Sequence, residues 1–174
     1  MNSVEIKPIF LWAPIWGALL LLGWVLYQST PSSQTQVQLA TPTTVVINGE
    51  PYLKIAADDM GQYRFKGKIN NKVFAFLIDT GASSVALPKS VADQLLLIKG
   101  PDIRVTTASG QAQGYRTLLN SVTIDQAEFS GIEAIVIGAM PGNEILLGMS
   151  LLKSTAFHHD AGYFYIRYPS QLVK

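Results

Sequence analysis

Apolar and polar positions alternate in short runs along most of the chain beyond residue 45. One stretch near the start, Ile9 to Tyr27, does not alternate at all. Alternation at a period of two marks strands with one buried face. "QYRFKGKI" and "KVFAFLID" form such a pair around Asn70-Asn71, and asparagine tolerates the positive φ that a two-residue hairpin turn requires. "IRVTTASGQAQGYRTLL" predicts a second hairpin with Ala108, Ser109 and Gly110 at its tip, and "SVTIDQAEFSGIEAIVIG" predicts two further strands around a turn near Asp125. "EILLGMSLLKS" reads as an apolar strand, a glycine and a short helical turn, and "GYFYIRY" closes the chain as an aromatic strand. The helical period is clear once, in "PKSVADQLLL", where Pro88 opens the first turn and Val91, Ala92, Leu95 and Leu96 share a face. Many short strands with one short helix predict a compact, barrel-like all-β domain.

The stretch that does not alternate, "IFLWAPIWGALLLLGWVLY", carries no charge and is long enough to cross a hydrocarbon core of about 30 Å. Trp12, Trp16, Trp24 and Tyr27 suit the interfacial zones, and Pro14 lies near the start, where its missing N–H does least damage. A cleaved signal peptide is the rival reading. Its apolar region is usually shorter, about 7–15 residues, and "YQSTPSSQ" offers no clear small-x-small site. Lys7 precedes the span and no Lys or Arg follows until Lys54, a bias that puts the N-terminus in the cytoplasm. Gln28 to Thr44 is uncharged and rich in Ser, Thr, Gln and Pro, the composition of an extended linker. The expected organisation is therefore an N-terminal transmembrane helix within residues 1–27, a linker over 28–44 and a folded domain over 45–174. In a bacterial cell this is a single-pass inner-membrane protein with its domain in the periplasm.

Composition narrows the chemistry. The 174 residues carry a formal net charge of +1 and no Lys/Arg-rich run, so there is no electrostatic footprint for nucleic acid. Zero cysteine removes disulfides, thiolate nucleophiles and cysteine metal ligands. The only two histidines, His158 and His159, are adjacent, and neighbours on a strand point to opposite faces, which argues against a zinc site. Ser83-Ser84 lacks the G-x-S-x-G context of a serine nucleophile. "GAMPGN", Gly138 to Asn143, lacks the length and the lysine of a phosphate-binding loop. No cofactor or metal is implied.

One acid stands out. "FLIDTGASSVALP" carries Phe76, Leu77 and Ile78 into a core and then places Asp79 at the strand end, where an unpaired carboxylate is costly. Gly81 permits close approach of another segment. Taken alone, "DTG" supports an Asx-turn, with Asp79 capping its own loop. Its context adds the glycine-tipped hairpin downstream and then Ile145-Leu146-Leu147-Gly148, an apolar strand end with a glycine, followed by Leu151-Leu152.

In "FLIDTGASSVAL", "TTASG" and "ILLGMSLL" the chain resembles the single-lobe, retropepsin-like aspartic proteases, and more closely their membrane-anchored bacterial members. The resemblance covers most of Gly61 to Arg167. It implies that Asp79 is catalytic, that Thr80, Gly81 and Ala82 support its loop, and that Ala108, Ser109 and Gly110 lie on a flap over an extended peptide. It also places the loop of Ile145, Leu146, Leu147 and Gly148 beside the site. Aspartic proteolysis needs two carboxylates sharing one proton, yet the chain has a single DTG. Asp58, Asp59, Asp93, Asp102, Asp125 and Asp160 lack the strand–turn context. The second carboxylate is then expected from another copy, in a symmetric homodimer acting on peptide or protein substrates. The alternative is a non-catalytic peptide-binding or dimerisation module on the same fold.

Overall fold

The structure, a computed structural model, describes residues 38–107 and 110–169. Asn70 and Asn71 both take positive φ, 46° and 67°, and close the hairpin of β3 (Arg64–Ile69) and β4 (Lys72–Ile78) with Ile69 opposite Lys72. The two asparagines form the turn that their backbone tolerance predicts. β4 runs parallel to β9 (Ile145–Leu147), which touches β5 (Val85–Pro88) through Ala86 and Leu146. β5 runs parallel to β8 (Ala127–Ile137), β8 pairs antiparallel with β7 (Gly110–Ile124), and β7 returns to β3 at Thr123 and Val122. Six strands thus close into a barrel, an arrangement that removes exposed sheet edges. β6 (Asp102–Thr107) pairs with the start of β7 and extends from the barrel as a hairpin arm.

A second sheet of four antiparallel strands has the order β1 (Thr43–Ile47), β2 (Glu50–Ala56), β11 (Tyr163–Arg167), β10 (Phe157–Asp160). Leu53, Ile55, Phe164 and Ile166 point from it into the main core beside Phe65, Ile69 and Phe76. Phe65 and Phe76 stack with centroids 5.4 Å apart, and Gly67 makes room for them, since a Cβ there would lie 2.9 Å from the Phe76 ring. The helices are α1 (Lys89–Leu95) and the single turn α2 (Met149–Leu152).

Several expectations change. The folded body begins before residue 45: Ala40 bridges Phe65, and β1 opens at Thr43. β1 and β2 meet at Asn48-Gly49, both at positive φ. The hairpin arm and the following strand are one fifteen-residue strand, β7, which changes partners along its length. Pro88 ends β5 and caps α1 from outside, where its fixed φ suits an extended residue. Leu96 leaves the shared helical face because it takes a left-handed conformation, with its side chain in solvent. No helix among the described residues is long and apolar enough to cross a membrane; Ile9 to Tyr27 lies outside them, as does most of the expected linker.

Phe76→Ala should lower unfolding free energy by about 3–5 kcal/mol, because it removes a stacked, fully buried ring from the barrel wall. Urea denaturation should show the loss as a lower midpoint at unchanged slope.

Candidate active site

The apolar residues of β4 stop at Ile78, and the next amide, Asp79, donates to the Leu147 carbonyl at 3.2 Å. This bond extends the β4–β9 pairing one step into the turn, so Asp79 has a strand's precision rather than a loop's freedom. Its Oδ1 accepts the Gly81 N–H at 2.9 Å, the Asx-turn contact that the local sequence allows. Its Oδ2 has no hydrogen-bond partner among the described residues. A side chain at position 81 would bring a Cβ to 3.2 Å from Oδ1, so glycine keeps the carboxylate uncrowded.

Ala82 closes the turn by donating to the Asp79 carbonyl at 3.2 Å, and its own carbonyl accepts Met149 N–H at 2.8 Å. Gly148 lies directly beneath. A Cβ there would fall 2.2 Å from the Ser84 carbonyl oxygen and 2.8 Å from that of Ala82. The hydroxyl of Ser150 completes the clamp, accepting Val85 N–H at 2.9 Å and donating to the Glu133 carbonyl at 2.8 Å. Asp79, Thr80, Gly81 and Ala82 are thus brought against Ile145, Leu146, Leu147 and Gly148, two segments far apart in sequence.

Asp79 and Thr80 line an open groove of about 890 Å³. Its other wall contains Gly61, Gln62 and Tyr63 before β3 and Phe157, His158 and His159 of β10, none of which the sequence assigns to the site. His158 stacks on Tyr165, its register partner, with ring centroids 4.7 Å apart. No group of three or more His, Cys, Asp or Glu that could hold a metal ion occurs among the described residues. The Gly61 wall is shaped by Asp58, whose Oδ1 accepts Gln62 N–H at 2.8 Å and Met60 N–H at 2.9 Å. Asp58 Oδ2 meets Arg64 Nη1 at 2.8 Å, and Arg64 Nε meets Glu144 at 3.0 Å, immediately before β9. Backbone donation from Gln62, then the Arg64 guanidinium, holds the Asp58 carboxyl below its usual range.

The hairpin arm is described up to Thr107 and again from Gly110, while its tip residues Ala108 and Ser109 lie outside the described residues. Thr107 Oγ1 donates to the Gly110 carbonyl at 2.8 Å, and Gly110 takes φ 112°, a conformation suited to glycine.

Two consequences can be measured. Gly148→Ala should destabilise the fold by about 1–3 kcal/mol or more, since the methyl group meets rigid carbonyls; thermal melting would report it. Asp58, with its folded pKa depressed, contributes stability that is fully present above the unfolded carboxylate value of about 3.9 and is lost as pH falls through the folded value. Stability of the natural chain should therefore decline more steeply than that of Asp58→Asn as pH drops below about 4.

The family described as "gag-polyprotein putative aspartyl protease" matches residues 65–154. Uncharacterized protein RP867 of Rickettsia prowazekii (strain Madrid E) is 36% identical over 106 residues, covering 57% of this chain and 43% of its own length. A Sinorhizobium sp protein, "Uncharacterized protein in cobV 5'region", is 28% identical over 116 residues, covering 64% of this chain and 50% of its own length. The chain spans half or less of the length of these curated relatives. The crystal structure of a retropepsin-like aspartic protease from Rickettsia conorii is similar, with a TM-score of 0.55 and 30% identity, covering 73% of this chain and 94% of that one. With the acid-bearing turn, the barrel and the Gly148 loop all inside the matched region, the chain belongs to the retropepsin-like, gag-type family of aspartic proteases.

Proposed function

We propose that the chain is a membrane-anchored aspartic endopeptidase whose working form is a homodimer, with Asp79 and the Asp79 of a second copy as the catalytic pair. The observation that carries this reading is the isolation of Asp79. It is held by the turn with one oxygen open, and no other carboxylate lines its groove among the described residues. One carboxylate cannot serve as base and acid in the same step. Two, about 3 Å apart, share a proton because like charges so close do not both ionise.

In the resulting cycle the ionised carboxylate takes a proton from water, whose oxygen adds to the scissile carbonyl carbon. The protonated carboxyl donates to the carbonyl oxygen. The tetrahedral intermediate then collapses: one of its hydroxyls returns a proton to the pair, the C–N bond breaks, and the departing amine takes up a proton from the pair, which is left with the single proton it began with. The β6–β7 arm is the flap that closes over an extended peptide and excludes water. Its inner face, with Ile103, Val105 and Ala112, packs on Ala86, Ile135, Ile137 and Leu146. Anchoring through residues 9–27, N-terminus inside, would hold this site on the periplasmic face of a bacterial inner membrane.

Asp79→Asn keeps the shape and removes the titrating acid. Incubated with a mixed peptide library from acidic to neutral pH, the natural chain should cleave and the variant should fall by two orders of magnitude or more. Specific activity of the natural chain should also drop on dilution. Equal cleavage by both chains would remove Asp79 from the mechanism.

A further inference from the structure

Away from the Asp79 groove, the bend between α1 and β6 departs furthest from what the fold itself requires. Leu96 follows α1 at φ 52° and ψ 44°, a left-handed position that glycine or asparagine adopts more easily. Its side chain is 86% exposed, that of Ile98 is 87% exposed, and Leu118 on β7 is 57% exposed. Leu96 therefore breaks a backbone preference and a burial preference at once, and such double departures point to function. The bend is not frayed. Thr117 Oγ1 donates to the Ile98 carbonyl at 2.9 Å, and Gly100 N–H donates to the Arg116 carbonyl at 2.9 Å.

Leu96, Ile98 and Leu118 line one shallow groove of about 540 Å³, so they form a patch rather than scattered exposures. Arg116 lines the groove without an ion pair among the described residues, Lys99 follows the bend in sequence, and Lys72 reaches the Gln94 carbonyl of α1 at 2.6 Å. The acids nearby are Glu133, in the groove, and Asp102, which Lys99 pairs at 2.8 Å. Protruding aliphatic side chains with an unpaired arginine beside them have the chemistry of a surface that enters the headgroup region of a bilayer.

We infer that Leu96, Ile98 and Leu118 form a lipid-docking surface that seats the domain on the membrane. The inference rests on the proposed anchor at residues 9–27. Only residues 28–37 separate that stretch from the described fold, and about ten residues reach at most about 35 Å when fully extended. A surface so tethered meets lipid at high effective concentration, and even a weak apolar contact would set orientation. Seating at this bend would leave the Asp79 groove, on other elements of the fold, open to substrates.

The chain has no cysteine, so Ile98→Cys and Met60→Cys each provide a single labelling site. Met60 is exposed beside the Asp79 groove. The full chain carries an environment-sensitive fluorophore at either site, in vesicles of phosphatidylethanolamine and phosphatidylglycerol containing nitroxide lipids. Quenching at position 98 should exceed that at position 60 several-fold, and Leu96→Ser with Leu118→Ser should abolish the difference. A chain that floats with the vesicles but shows equal quenching overturns the docking surface and leaves the anchor standing. A chain that does not float overturns both. If a protein substrate without lipid shields position 98 of the Ile98→Cys chain from labelling, the patch is instead a peptide exosite, and the proposal is likewise overturned.

Discussion

The structure depends on one close approach, that of the backbone at Gly148 to the carbonyls of Ala82 and Ser84. A hydrogen in place of a side chain lets the turn after β4 lie on the end of β9, where Asp79 and Leu147 continue the parallel pairing. That contact orients the carboxylate. It also joins β4 to β9 and, through Leu146 and Ala86, to β5, so the same few residues that aim the acid also complete the barrel. Folding and site formation are consequently one event, and a substitution at Gly148 disturbs both.

A second set of polar contacts ties the far wall of the groove to the same place. Arg64 bridges Asp58, which shapes residues 58–62, and Glu144, which leads into β9. Arg64 and Asp58 are largely shielded from water, with side-chain exposures of 13% and 8%. Groove wall and Asp79 turn thereby share a common support on β3 and β9. The four-stranded sheet adds His158 and His159 to the groove from its β10 edge.

Legibility in the sequence follows the range of the interactions. Asn70-Asn71, the end of β4 and the Asp79 turn are readable because their causes lie within a few residues: positive-φ asparagines, alternation, a glycine after an acid. The Asn48-Gly49 turn carries an equally local signal, one of the strongest for a hairpin, but it adjoins a stretch with the composition of a linker, which masks β1 and β2. The continuity of β7 is hidden because its partners, β6, β8 and β3, are distributed over the whole chain. Period alone puts Leu96 on a helical face, and the left-handed cap that turns it outward is set by contacts with Ala92 and Asp93 rather than by its apolar character. The role of residues 58–62 needs the Arg64 bridge, and no pattern in the sequence announces a bridge to residue 144.

The proposed function turns on a second carboxylate, which the described residues of one chain do not bring to the groove. Mixing the natural chain with increasing Asp79→Asn chain tests this most directly, with total protein held above the dimer's dissociation range. If each site draws one Asp79 from each of two copies, mixed dimers lack the pair, and peptide cleavage per natural chain should fall towards zero as the variant is added in excess. Cleavage per natural chain that stays constant through the titration would mean that one chain holds a complete site, and would contradict the account.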